Sequence, residues 1–159
     1  MSRRGALAPW VGAALLAGCS LFGGPAPVKP GWASLTLVAA PDANADSALA
    51  VDVVLVKDKA LLDGLLAMPA ARYFAARAGL QRSFPEGVTV LSVEITPGQT
   101  IQVAPARFRN EKAWAALAFA NYATPGEHRE TLLLGHGAYL LQLGPQELAV
   151  TGPQAGRLR

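Results

Sequence analysis

Leu49-Ala50-Val51-Asp52-Val53-Val54-Leu55-Val56-Lys57 is the stretch that decides the class of fold. Side chains alternate faces along an extended chain, so Leu49, Val51, Val53 and Leu55 point one way and Asp52 the other. Val54 and Val56 make that second face partly apolar as well. A strand written this way belongs in the middle of a sheet, covered on both sides for half its length.

Upstream, Trp32 to Ala39 alternates in the same manner, with Leu35 and Leu37 on one face and Ser34 and Thr36 on the other. Between the two strands, Pro41 to Ser47 holds Asp42, Asn44, Asp46 and Ser47, residues whose side chains bond to nearby backbone in turns. Downstream the period changes. Leu61, Leu62, Leu65 and Leu66 fall on one helical stripe, and Tyr73, Phe74 and Ala78 form another after Pro69, which is suited to open a helix. Two short helices therefore cross over before Val88 to Ile95 returns to strand. Thr96-Pro97-Gly98 then predicts a turn, and a hairpin with Gln99 to Ala104. Trp114 to Tyr122, Arg129 to Leu134, Ala138 to Leu143 and Gln146 to Thr151 complete seven or eight short strands, which argue for a mainly β sandwich. Leu35, Leu37, Val51, Val53, Leu55, Leu117 and Phe119 are expected in one core.

At the N-terminus, Arg3 and Arg4 precede the uncharged run Ala6 to Ala17, the layout of a secretory signal. This run is shorter than the roughly 20 residues that span a bilayer. It ends in Leu16-Ala17-Gly18-Cys19, which resembles the lipobox of bacterial lipoproteins. The resemblance implies cleavage before Cys19 and acylation of that cysteine. Residues 1–18 are then signal, 19–31 lipidated cysteine and tether, 32–151 the folded domain and 152–159 a tail. The tether Ser20 to Gly31 carries three glycines and three prolines in twelve residues, a composition that favours extended, solvated chain. Cys19 is the single cysteine, so no disulfide forms within the chain.

Removing Arg3 and Arg4 with the signal leaves 12 basic residues against 11 acidic. That near balance, without a basic run, gives nucleic acid no electrostatic footing. It also leaves membrane attachment to the acyl chains, since no polybasic run is present to help them. Catalytic signatures are lacking: there is no Gly-x-Ser-x-Gly elbow, phosphate-cradling loop or His-Glu-x-x-His helix. His128 and His136 sit in predicted turns and are read as solvated, two ligands being too few for a zinc site. Glu94 is read as a solvent-facing residue between Val93 and Ile95. Arg107-Phe108-Arg109 with Lys112 makes a small basic cluster on a loop. No catalytic residue, metal site or cofactor is assigned.

The order of segments resembles the outer-membrane lipoprotein family of type VI secretion, TssJ or VasD. The residues that carry it are Ala40-Pro41-Asp42-Ala43-Asn44, Val51 to Val56, Arg72-Tyr73-Phe74, Ile95-Thr96-Pro97-Gly98-Gln99 and Ala118 to Tyr122. Departures exist: Ala45 stands where the family usually has proline, and the helical segment runs on to Pro85. The resemblance implies a transthyretin-like β-sandwich with a short helical insertion and no enzymatic activity. It further implies docking to the periplasmic domain of an inner-membrane type VI secretion protein, with Asp42, Asn44 and Asp46 as partner contacts. Ser20 lacks the aspartate that commonly retains lipoproteins in the inner membrane, so the expected site is the outer membrane, with the domain facing the periplasm. A pilot or ligand-binding lipoprotein, and more distantly an envelope hydrolase, are the other classes the sequence leaves open.

Overall fold

The structure, a computed structural model, describes residues 25–153. The signal segment and Cys19 lie outside the described residues, as does most of the tail. Eight strands form two sheets of four. Strands β1 (Trp32–Ala39), β4 (Thr100–Val103), β7 (Gly137–Leu143) and β8 (Leu148–Thr151) make one, in the order β4-β1-β7-β8. Strands β2 (Leu49–Val56), β3 (Val88–Ile95), β5 (Ala115–Ala120) and β6 (Arg129–Leu132) make the other, in the order β3-β2-β5-β6. The helices α1 (Leu62–Leu66) and α2 (Ala70–Ser83) cross over between β2 and β3. Pro69 is the residue before α2, extended at ψ 152, as its fixed ring torsion suits.

Strand β2 is central, as its sequence requires, hydrogen-bonded to β3 on one side and β5 on the other. Its two faces serve two separate cores. Leu49, Val51, Val53 and Leu55 join Leu35 and Leu37 between the sheets. Val54 and Val56 pack instead with Leu65, Ala70 and Tyr73 in a second core between the sheet and the helices.

Leu117 and Phe119 belong to this second core, which corrects the expectation of a single one. Strand β5 alternates a small face, Ala116, Ala118 and Ala120, with a large one, Leu117 and Phe119. The alanines face the sandwich interior and let the opposite sheet approach closely. The bulky side chains fill the gap under α2.

The expected hairpin across Thr96-Pro97-Gly98 is also corrected. A turn forms there, with the Gln99 amide donating to the Thr96 carbonyl at 3.0 Å and Gly98 at φ 76. It carries the chain from one sheet to the other, because Gly98 donates to the Ala39 and Ala40 carbonyls and so draws β4 beside β1. The end of the expected tether is pinned as well: Val28 and Ala113 exchange both backbone hydrogen bonds at 2.9 Å.

The three tyrosines of the chain, Tyr73, Tyr122 and Tyr139, are all buried. Burial raises the phenol of each above its ordinary value, to about 12 for Tyr122, where Glu147 adds to the effect. Well below pH 10 the phenols stay protonated folded or unfolded. Above it the unfolded chain gives up protons that the folded chain keeps, so stability falls as pH rises toward 12. Spectrophotometric titration should therefore show less tyrosinate at pH 10 to 11 in the folded protein than in denaturant; matching curves in the two states would contradict this burial.

Candidate functional site

Strand directions sort the connections into two groups. Chain direction and register put loops 40–48, 96–99, 121–128 and 144–147 at one end of the sandwich. Residues 25–31, 57–61, 84–87, 104–114 and 133–136 lie at the other, the end from which the chain runs back toward Cys19. The eight residues of β1 separate the two ends by about 26 Å.

The first loop is rigidly held. Asn44, Ala45 and Asp46 have φ of 49, 52 and 60, three successive residues in the left-handed region. A residue with a Cβ resists that conformation by roughly 1–2 kcal/mol, and asparagine and aspartate tolerate it best. Asn44 supplies the compensation. Its side chain is buried, with the amide nitrogen donating to the Ala48 carbonyl at 3.1 Å and the amide oxygen accepting from the Ala123 backbone at 2.9 Å. Ala43 beside it is 1% exposed and packed into the sandwich core. Asn44 thus fastens the first loop to the third, its polar atoms spent internally, while Asp42 and Asp46 stand in solvent.

Tyr122 fastens the third loop to the fourth in the same way, its hydroxyl reaching the carbonyls of Gly144 and Glu147. The four loops together hold Asp42, Asp46, Glu127 and Glu147, and no lysine or arginine. Glu127 pairs with Arg129 at 3.3 Å; the other three carboxylates have no cation within 4 Å among the described residues. Glu127 and Glu147 carried no signal of their own in the sequence. Gly144-Pro145 marked only a turn, and strand order alone brings that turn beside the end of β1.

The remaining candidates are placed as follows. Glu94 is exposed on β3, as the alternation indicated. His128 is not a solvated turn residue: its ring lies 4.5 Å from that of Tyr122 and contacts the Thr124 carbonyl at 2.9 Å, with φ 42 closing the turn. His136 is exposed and lies over Gly31. The two histidines therefore stand at opposite ends of the sandwich and do not meet. Arg107, Arg109 and Lys112 are exposed at the end that holds residues 25–31, and Phe108 between the arginines is buried against Trp32 at 5.2 Å.

Two four-stranded sheets, a helical layer over one of them, and a braced acidic loop end opposite the chain's entry define a non-barrel β-sandwich with its presentable surface at one pole. The TssJ-like lipoproteins of type VI secretion have this fold. No protein-family model matches the chain, and no curated protein does. Among solved structures, the chain is similar to the type VI secretion lipoprotein TssJ1 from Pseudomonas aeruginosa, at 18% identity and a TM-score of 0.60, over 82% of this chain and 99% of that one. It is similar to Serratia marcescens Lip, a membrane-bound component of the type VI secretion system, at 16% identity and a TM-score of 0.54, over 81% and 100%. A third likeness is to the structure of the TssM C-terminal domain (869–1107) from EAEC, at 17% identity and a TM-score of 0.50, over 76% and 97%. At the level of fold, the resemblance read from the sequence is borne out.

Proposed function

We propose that this protein is a non-enzymatic lipoprotein of a type VI secretion membrane complex, held in the outer membrane by lipid on Cys19 and docked through its acidic loop end to the periplasmic domain of an inner-membrane secretion protein. The observation that carries the reading is the polarity of the sandwich. Loops bearing four carboxylates and no cation lie about 26 Å from the end that leads to Cys19. An anchor at one pole leaves the other projecting into the periplasm. The likeness to type VI secretion lipoproteins supplies the system, and the acidic pole supplies the chemistry of the contact, a basic surface on the partner.

Asp42 and Asp46 are the contacts of the first loop, and Asn44 is the residue that presents them. Changing Asp42 and Asp46 together to lysine should leave the thermal midpoint nearly unchanged, because exposed substitutions usually move stability by less than about 0.5 kcal/mol. Association with the partner's periplasmic domain should slow by about ten-fold at low ionic strength, and the difference should shrink as salt is raised. Asn44→Ala should behave differently, destabilising the domain by about 1 to 3 kcal/mol because it removes both hydrogen bonds that brace the loops and puts an alanine at a left-handed φ. Rates measured by surface-immobilised binding at two salt concentrations, beside melting curves, check both arms. Unchanged association in the double lysine variant would remove this loop from the interface.

A further inference from the structure

The end at which residues 25–31 enter the sandwich differs from the acidic loop end in charge and in exposed apolar side chains. Val28, Phe84 and Leu133, the large apolar side chains exposed among the described residues, are 51%, 41% and 41% exposed, and all three are at this end. Trp114 is half-buried beside them, with the Lys59 ammonium 5.1 Å from its ring centre. Phe84, Lys59 and Trp114 line a groove of about 540 Å³. A second groove of about 450 Å³ runs between Val28, Lys29, Arg109 and His136.

The same loops carry six lysines and arginines against three acids. Lys57 takes up two of those acids, Glu86 and Glu111, and Asp58 caps the Ala60 amide. Lys29, Lys59, Arg107, Arg109 and Lys112 have no carboxylate within 4 Å among the described residues. They come from three separate segments, so no basic run announces them. The fold assembles the patch.

Cations that surround exposed aliphatic and aromatic side chains suit the headgroup region of a bilayer, where ammonium and guanidinium groups meet phosphate and aromatic rings sit at the interface. Reach favours the same occupant. From Pro25 to Cys19 the chain spans at most about 21 Å. We propose that this pole of the sandwich rests on anionic phospholipid headgroups, with Val28, Phe84 and Leu133 entering the interface and Lys29, Lys59, Arg107, Arg109 and Lys112 facing lipid phosphates. The contact adds to the acyl anchor, and it rests on the reading of Cys19 as lipidated. It fixes the orientation of the domain, so that the acidic loops point away from the membrane.

Trp114 is a built-in probe. The other tryptophan after Cys19 is Trp32, 5% exposed in the core. The mature lipoprotein is reconstituted in vesicles of phosphatidylethanolamine and phosphatidylglycerol containing headgroup-spin-labelled lipid. Trp114 emission should be quenched, and the quenching should be lost in a variant carrying Arg107→Glu, Arg109→Glu and Lys112→Glu that still floats with the vesicles. Floating protein with unquenched Trp114 overturns the proposal. So does a triple variant that loses the secretion partner while its Trp114 quenching is unchanged, since the end would then belong to a protein contact. Wild-type protein that does not float refutes the lipid anchor, and the surface is then decided by the Cys19→Ser chain sedimented with sucrose-loaded vesicles of the same lipids. Each cation removed should lower its partitioning about five-fold, equivalent to about 1 kcal/mol. Equal partitioning of wild-type and triple-variant surfaces in that assay overturns the proposal as well.

Discussion

Phe119→Ala is expected to destabilise the domain by about 3 to 5 kcal/mol, a large share of the 5 to 15 kcal/mol typical of a domain. The ring is completely buried and stacks on Tyr73, with centres 4.1 Å apart and planes 7° from parallel. Truncation leaves a cavity between β5 and α2 that Tyr73 is poorly placed to fill. Its hydroxyl donates to Asp52 at 2.9 Å, so sliding the ring inward gives up that bond. The cost should therefore lie toward the upper end of the range. It should also be local. Urea unfolding would show a lower midpoint, and native-state amide exchange would show α2 (70–83) losing protection before β1 and β7, whose core lies on the other side of the sheet. A loss below about 1 kcal/mol, or protection lost evenly in both layers, would contradict the two-core arrangement.

Arg77→Ala is the second large effect, expected at about 3 kcal/mol. Asp52 lies in the middle of β2 with its side chain at 0% exposure, and Arg77 reaches it from α2 at 3.2 Å. Removing the guanidinium leaves a buried carboxylate with one hydroxyl donor and no cation, and an uncompensated buried charge costs about 3 to 5 kcal/mol. Arg77 is 40% exposed, so water already screens part of the pair and the lower figure is expected. The comparison that tests this is a variant in which Asp52→Val, Tyr73→Phe and Arg77→Leu are combined. With every polar member of the cluster gone, no group is stranded, and replacing a buried pair by apolar residues is often neutral. The triple variant should be more stable than Arg77→Ala alone. If it is less stable, the ion pair contributes more than its own desolvation costs, and the stranded carboxylate is not the source of the loss.

The charge distribution links these features to the proposed function. Asp52 and Arg77 hold the helical layer to the sheet, and the sheet spaces an acidic pole from a basic, partly apolar one. A domain with opposite charges at its two ends aligns between an anionic surface and a basic partner. Its near-neutral total, 12 basic against 11 acidic residues after the signal, conceals that arrangement.

Patterns confined to a few neighbouring residues were legible in the sequence, because alternation and turn chemistry act over that range. Strand β2 covered on both faces, the Thr96-Pro97-Gly98 turn, the second helix opened at Pro69 and the solvent face of Glu94 each came from residues within ten positions of one another. The family resemblance, drawn from the order of such segments, foresaw the sandwich. What required contacts between distant segments was decided only by the tertiary structure. The small face of β5 turned inward because the opposite sheet needed a close approach, and that sent Phe119 to the helices. Gly98 bonded to the end of β1, and a predicted hairpin became a crossing between sheets. Asn44 found Ala123 and became a brace, although alone it looked like a contact residue. Asp52, a lone acid in an apolar strand, could be paired with Tyr73 and Arg77 only once α2 lay across the sheet. Charges scattered along the chain have no net direction there; strand order gathers them at two poles, because every strand delivers its loops to one end or the other.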